Sequence, residues 1–89
     1  MIRYWFEFKE SDEIFSLGIE LGCGVTALNY QDAIKVLEES VFKNKKLPTI
    51  KNCIENVDIR NLDQEHVIPN MWTPNFRGIW YPISFHENS

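Results

Sequence analysis

The sequence has little cysteine, and its two cysteines stand far apart. Cys23 and Cys53 each lack a cysteine neighbour, and His66 and His86 are twenty residues apart. The chain therefore lacks the Cys-x-x-Cys and His-x-x-x-His spacings that gather metal ligands, and we expect no native metal site. Because both cysteines lie among apolar residues, buried free thiols are favoured over a disulfide.

Long hydrophobic runs are also absent. No apolar stretch approaches the roughly 20 residues that a membrane-spanning helix needs. A strand-like pattern that contains charged residues follows Met1 directly, which is not typical of a signal peptide. We therefore expect a cytoplasmic protein that does not contact a membrane.

An excess of positive charge is missing as well. The chain has 9 Lys and Arg residues against 13 Asp and Glu residues, which gives a net charge of −4. This balance disfavours non-specific binding to nucleic acid and suits a protein partner with a basic surface. The lysines that cluster in sequence are typical of the solvated end of a helix; they are Lys43, Lys45, Lys46 and Lys51.

Motifs for phosphate binding and for nucleophilic catalysis are not found. Gly22 and Gly24 flank Cys23 inside a strand-like pattern, and no Gly-Lys-Ser/Thr sequence follows them. Catalysis by Cys23 with His66 would require the fold to bring them together, whereas Cys23 alternates with core-type residues. We expect no cofactor and no enzymatic activity.

The composition that is present predicts one small folded domain over residues 1–89. Hydrophobic residues make up 44% of the chain and aromatic residues 13%, which excludes a disordered protein. A chain of this size buries a little over roughly 60% of its unfolded surface, enough for one modest core.

Two segments near the start alternate with a period of two, as β-strands do. In residues 2–9 the apolar Tyr4 and Phe6 alternate with residues that include Trp5. Residues 17–28 alternate in the same way and carry three glycines on one face. We interpret residues 10–13 as a turn between two antiparallel strands, with Trp5 packing over the glycine face.

A helical pattern replaces the alternation at Asn29. Asn29 is a suitable N-cap and Asp32 suits the positive end of a helix dipole. Apolar residues then recur at helical spacing as far as Val41, and Pro48 prevents a longer helix. The sequence predicts a helix from Tyr30 to about residue 42 that covers one face of a sheet.

The second half of the chain is less regular. Residues 52–59 fit a strand, and a second helix is the alternative interpretation. Residues 61–75 form a loop in which Asp63 caps a short helical turn, and an apolar strand over residues 76–83 follows. The predicted fold is α+β, with ββαββ order, a mostly antiparallel sheet of three or four strands, one packed helix and a long aromatic loop before the last strand.

Several motifs together resemble a family of short, uncharacterised bacterial proteins. These are YWFEF (residues 4–8), GCGVTA (22–27), YQDA (30–33), PNM (69–71) and RGIWYP (77–82). The resemblance spans nearly the whole chain but implies no activity, so it carries over no catalytic residue. Small acidic bacterial proteins of this kind include immunity partners of toxins, which is an analogy at the level of class.

The strongest candidate for function is the aromatic segment near the C-terminus. Trp, Tyr, Met and Arg are enriched at protein interfaces, so this segment predicts a protein-interaction module, of inhibitor or immunity type. An exposed Trp72 would be its anchor. The candidate partner-binding residues are Asn70, Met71, Trp72, Phe76, Arg77, Trp80 and Tyr81.

Two further hypotheses remain open. One is a small-molecule-binding protein or small enzyme whose pocket lies between the glycine face and the aromatic loop. The other is a homodimer, because Trp5, Leu28 and Tyr81 make the second sheet face partly apolar and a second subunit would cover it. The candidate pocket residues are Trp5, Gly22, Gly24 and His66.

Overall fold

The computed structural model describes residues 1–43 and 45–86. Within them the chain forms an α+β fold with four strands and two α-helices. In chain order these are β1 (Ile2–Phe8), α1 (Asp12–Leu17), β2 (Cys23–Ala27), α2 (Tyr30–Ser40), β3 (Ile50–Glu55) and β4 (Gly78–Tyr81). Single 3-10 turns span Ile59–Asn61, Ile68–Asn70 and Ile83–Phe85.

The four strands form one antiparallel sheet in the order β3-β1-β2-β4. This confirms the predicted α+β class and the antiparallel sheet with one main helix on one face. The strand predicted over residues 52–59 is β3, which begins and ends slightly earlier, and the alternative of a helix there is wrong. The final strand, predicted over residues 76–83, begins at Gly78 and ends at Tyr81, before Pro82, which has no N–H to donate.

A short helix replaces the turn that we predicted after β1. The Oγ of Ser11 accepts a hydrogen bond from the N–H of Ile14 and caps α1, whose first turn carries Asp12 and Glu13. Gly18 ends the helix in the left-handed region, with φ of 75°. The strand predicted from residue 17 therefore begins only at Cys23, and the alternation before it was misleading.

Helix α2 begins and ends close to the predicted positions. Asn29 is its N-cap, and its side-chain Oδ1 accepts a hydrogen bond from the N–H of Asp32 at 2.9 Å. The helix buries Ala33, Val36 and Leu37 against the sheet. The predicted helix therefore exists, and it ends at Ser40 rather than near residue 42.

The first core lies between α2 and one face of the sheet. The register pairs Phe6 with Cys23 and Tyr4 with Val25, so these side chains share that face. Ile14 of α1 is also buried here, which explains how α1 is held. The buried residues of this core are Tyr4, Phe6, Phe8, Ile14, Ile19, Cys23, Val25, Ala27, Ala33, Val36, Leu37, Val41, Phe42 and Ile79.

A second core covers the other face of the sheet. Its buried members are Trp5, Val57, Val67, Trp80 and Tyr81, and part of the 57–72 segment packs over them. The expectation that a second subunit would cover this face is therefore wrong, because the chain covers it itself. Leu28, which we had assigned to this face, is 65% exposed instead.

The glycine face of β2 is filled by two indole rings. A Cβ atom placed on Gly24 would lie 2.4 Å from the ring of Trp80, and one placed on Gly22 would lie 2.6 Å from the ring of Trp5. The rings of Trp5 and Trp80 pack against each other with centroids 5.9 Å apart. This agrees with the predicted packing of Trp5 over the glycines, and it leaves no open space there.

No helix in the described part of the chain combines the length and the hydrophobicity that crossing a membrane requires.

Candidate functional site

The aromatic loop, residues 70–77, is the candidate site, and it presents Phe76 to solvent. Phe76 is 60% exposed and its ring lies 5.7 Å from the ring of Trp72. Trp72 is half-buried and stacks on the imidazole of His86, with centroids 3.8 Å apart. The anchor predicted at Trp72 is therefore the support of a more exposed ring, which is Phe76.

Two hydrogen bonds tie the loop to the sheet. The guanidinium of Arg3 donates to Asn75 Oδ1 at 2.7 Å, and the hydroxyl of Thr26 donates to the carbonyl of Pro74 at 2.6 Å. Arg3 and Thr26 are cross-strand partners in β1 and β2, so both bonds leave from the same place on the sheet. The turn that precedes Phe76 is consequently fixed at both Pro74 and Asn75.

An ion pair holds the end of the loop. Arg77 makes a two-pronged contact with Asp32 of α2, with nitrogen–oxygen distances of 2.7 and 3.0 Å. Asp32 also accepts a hydrogen bond from the N–H of Leu28 at 2.9 Å. The Arg77 hydrogen bond, followed by the Leu28 bond, lowers the pKa of Asp32 to about 2. One carboxylate thus connects the loop to the start of α2.

A backbone hydrogen bond holds the beginning of the loop. The N–H of Trp72 donates to the carbonyl of Trp80 at 2.8 Å, which places the loop alongside β4. His86, on which Trp72 stacks, is itself fixed by a 3.1 Å contact between its Nδ1 and the carbonyl of Ile79. The loop is therefore bonded at its start, middle and end.

The structure divides the predicted partner-binding residues into two groups. Asn70 and Arg77 are exposed on the loop, and Met71 and Trp72 are half-buried beside Phe76. Trp80 and Tyr81 are only 1% and 6% exposed and belong to the second core. Their burial does not fit the expectation that they contact a partner, because a partner cannot reach them without unfolding the sheet edge.

The predicted pocket residues do not surround a cavity. Trp5 is buried against Gly22, and Trp80 occupies the space beside Gly24. His66 is exposed on the 57–72 segment, where its Nδ1 lies 3.2 Å from the carboxylate of Asp63. That same carboxylate accepts the backbone N–H groups of Glu65 and His66, which confirms Asp63 as the cap of a short turn.

A cleft of about 280 Å³ lies elsewhere, between the end of α2 and the 3-10 turn Ile83–Phe85. A neighbouring hollow shares part of its wall and reaches Arg77 and Ile79. No motif in the sequence indicated this cleft, because its walls come from segments about forty residues apart. It is lined by Glu39, Ser40, Lys43, Ser84, Phe85 and His86.

The two thiols differ in environment. Cys23 is fully buried, and burial raises the pKa of its thiol far above the usual range. Cys53 is half-buried on β3, and its pKa is raised by burial and by Glu55. Both thiols are therefore poor nucleophiles at neutral pH. Within residues 1–43 and 45–86, no group of three or more His, Cys, Asp or Glu residues is placed to hold a metal ion.

The contacts that build the loop were not visible in the sequence. Arg3 lies 72 positions from Asn75, and Asp32 lies 45 positions from Arg77. The only sequence signal was the composition of the segment itself, which placed Phe76 and Arg77 among the candidate residues.

Comparison of the chain with known protein families, with curated proteins and with solved structures finds no match. The resemblance to a family of short bacterial proteins therefore stays a prediction.

Proposed function

We propose that this protein is a non-enzymatic protein-interaction module, of inhibitor or toxin-immunity type, that works in the cytoplasm and binds a protein partner through the aromatic loop. The observation that carries the proposal is Phe76, a large apolar side chain that is 60% exposed on a loop bonded to the sheet and to α2.

Preorganisation is the physical reason that this arrangement suits binding. When binding immobilises a mobile loop, the lost conformational entropy offsets part of the free energy gained by burying apolar surface. Here the bonds of Arg3, Thr26 and Asp32 have already fixed the loop during folding. Phe76 with the half-buried Trp72 beneath it then offers an aromatic anchor of the kind that dominates binding energy at interfaces.

The charge of the chain supports a basic protein partner rather than nucleic acid. The net charge is −4, and the one arginine at the end of the loop is already neutralised by Asp32. Glu39 lies close enough to Arg77 to contribute to its raised pKa, after the Asp32 bond. A phosphate backbone approaching this end of the loop would find no unpaired guanidinium at Arg77.

The test is affinity capture from the native host with four forms of the protein: wild type, Phe76→Ala, Arg77→Ala and the control Phe15→Ala. Phe15 is 55% exposed but lies on α1, at the opposite end of β1 from Arg3 and the loop. Each form is checked for folding by circular dichroism. A candidate partner is then purified and its affinity measured by calorimetry.

We expect Phe76→Ala to lower the affinity for the purified partner at least about tenfold, in line with truncation of an interface anchor. Phe15→Ala should bind as wild type does. A partner that binds all four forms equally, or the lack of any stoichiometric partner for the folded wild type, would contradict the proposal.

A second candidate function, binding of a small molecule, is favoured by the cleft beside α2. Its wall combines Lys43, Glu39 and two serine hydroxyls with the rings of Phe85 and His86, a mixture suited to a small zwitterion. A thermal-shift screen of metabolites tests this, because a ligand of the folded state raises the melting temperature. A ligand of the cleft should no longer raise the melting temperature of Ser40→Phe, whose larger side chain fills the cleft, but should still raise that of Phe76→Ala. A compound that stabilises Ser40→Phe as much as wild type would show that it does not bind in the cleft.

A further inference from the structure

Three exposed apolar side chains lie at the end of the sheet to which the aromatic loop is bonded. Met1, Leu28 and Phe76 are 66%, 65% and 60% exposed, and they are the most exposed large apolar residues in the described part of the chain. They belong to three separate segments, which precede β1, follow β2 and precede β4. The pairing of the strands decides whether they form one surface.

The pairing of β1 with β2 places Met1 beside Leu28. Ile2 pairs with Ala27, and the register between these two strands is continuous. One residue further along each strand, the same register brings Met1 opposite Leu28. Paired residues share a face of the sheet, and Leu28 alternates with Ala27 onto the face of Thr26, whose hydroxyl bonds to the aromatic loop.

The pairing of β2 with β4 brings Phe76 to the same place. Thr26 pairs with Gly78, and the register shift between these strands lies at the other end of the ladder, between Gly24 and Val25. Two residues beyond the pair of Thr26 and Gly78, the register sets Leu28 opposite Phe76.

Hydrogen bonds at Asp32 support this placement independently. Its Oδ2 atom accepts the N–H of Leu28 at 2.9 Å and the Nε–H of Arg77 at 3.0 Å. Leu28 and the residue next to Phe76 are therefore held by one carboxylate oxygen. Met1, Leu28 and Phe76 thus form a row across the end of the sheet, which we call the apolar row.

Arg3 is the charged residue that stands free beside the apolar row. Its guanidinium donates to the neutral amide oxygen of Asn75 and forms no ion pair with any residue that the structure describes. Asp32 and Asp58, on the neighbouring segments, each already pair with another arginine. A guanidinium has five N–H donors in a fork that matches a carboxylate, so most of the donors of Arg3 are available to a partner.

We infer that the apolar row and Arg3 together bind an amphipathic segment of a partner protein that carries apolar side chains and a carboxylate. This inference rests on the proposed function and specifies its surface, to which the aromatic loop contributes Phe76 and the ends of β1 and β2 contribute the rest. Aromatic residues, methionine and arginine are the types enriched in interface cores. A partner that is basic as a whole fits too, because net charge steers the approach whereas Arg3 selects the group that touches it.

Selection from a phage-displayed library of random peptides tests the surface without the native partner. Enriched peptides are synthesised, and calorimetry gives their affinities for wild type, Leu28→Ala, Phe76→Ala and the control Phe15→Ala, each checked for folding by circular dichroism. We expect the peptides to combine apolar residues with Asp or Glu. Leu28→Ala and Phe76→Ala should each raise Kd about tenfold, whereas Phe15→Ala, which truncates an exposed ring on α1, should leave it unchanged.

The contribution of Arg3 is measured with a second pair of variants. Arg3→Gln removes the charge but keeps N–H donors for Asn75, so Kd for an acidic peptide should rise about threefold or more. The same variant should have no such effect on a peptide whose carboxylates are replaced by amides. Asn75→Ala removes the hydrogen bond but leaves the charge, and it should still bind the acidic peptide more tightly than the amide peptide.

Three results would overturn the inference. They are a library that yields no peptide, peptides that bind Leu28→Ala as tightly as wild type, and peptides whose binding does not depend on a carboxylate. Capture from the native host tests the proposed function separately. A host partner that requires Phe76 but not Leu28 would leave that proposal standing and remove this one.

Discussion

At the scale of single residues, two glycines and two tryptophans determine how the second face of the sheet packs. Gly24 lies directly beneath the ring of Trp80, and Gly22 beneath the ring of Trp5. A glycine weakens a strand because it offers no side chain to pack. Here the large rings supply the missing contacts, so the small residue and the large one form a complementary pair.

Replacing Gly24 by alanine should destabilise the protein by about 2 kcal/mol, because the new methyl group overlaps a ring that is 1% exposed and cannot move aside. The measurement is urea denaturation of Gly24→Ala alone and in the background of Trp80→Leu. The alanine should cost less in that background, since the smaller side chain leaves room. An equal cost in both backgrounds would show that overlap with Trp80 is not the cause.

Asp32 is the residue that connects the aromatic loop to α2. Its carboxylate is 14% exposed and receives two bonds from Arg77 and one from the backbone of Leu28. All three bonds favour the charged form, which is why its pKa falls from 3.8 to about 2.

The lowered pKa predicts a specific loss of stability in acid. Because the pKa is lower in the folded than in the unfolded state, the contribution of Asp32 is present above about pH 4 and is lost as pH falls to about 2. Asp58 and Asp63, whose pKa values are also lowered by hydrogen bonds, act in the same direction.

Denaturation of wild type and Asp32→Asn across this pH range measures the effect of Asp32 by itself. The stability difference between the two proteins should shrink as the solution becomes more acid. A difference that is independent of pH would mean that the carboxylate charge is not what Arg77 recognises.

At the scale of secondary structure, caps decide where the helices begin. Ser11 caps α1 and Asn29 caps α2, each through a side-chain oxygen that accepts from the N–H three residues later. α1 has only six residues and would not persist by itself. It persists because Ile14 is fully buried in the first core.

Removing the cap of α2 should cost about 1 kcal/mol in Asn29→Ala, whereas Asn29→Asp should retain stability because aspartate also accepts the N–H of Asp32. Thermal and urea denaturation of the two variants provide the comparison. Since the cap is adjacent to Asp32, Asn29→Ala should also weaken the Arg77 contact. Equal stability of the alanine and aspartate variants would contradict the capping role.

At the scale of the whole molecule, one sheet lies between two cores. The first core packs against α2, and the second packs against the 57–72 segment. Strand β1 contributes Phe6 to one and Trp5 to the other, and β4 contributes Ile79 and Trp80 in the same way. Neither core can form without the strands that the other also needs.

This shared sheet predicts a single cooperative unfolding transition. The three tryptophans all lie in or against the second core, so their fluorescence reports the unfolding of that core. Far-ultraviolet circular dichroism reports mainly α2, which packs on the first core. The two signals should change at the same urea concentration. A fluorescence transition that precedes the loss of helix would show that the second core opens independently.

The sequence by itself determined the elements whose signals are local. The alternation of Tyr4, Trp5 and Phe6 indicated β1, and the cap at Asn29 with its helical stripe indicated α2. It also favoured a thiol at Cys23 that is buried. These features depend on neighbours within a few positions, so they can be interpreted without knowing the fold.

The local features of α1 were missed. The structure shows a cap at Ser11, acids at Asp12 and Glu13 and an end at Gly18, whereas we interpreted residues 10–13 as a turn and the alternation from Leu17 as a strand. In a short segment with few apolar residues, the sequence pattern does not distinguish a strand from a short helix.

Only the tertiary structure decided which surfaces remain free. Trp80 became core and Phe76 became exposed although both lie in one aromatic segment, because β4 pairs with β2 while the loop turns outward. The bonds from Arg3 and Asp32 to the loop cross most of the chain, and no local pattern encodes them. Burial of a side chain depends on what packs over it, and that is a property of the whole fold.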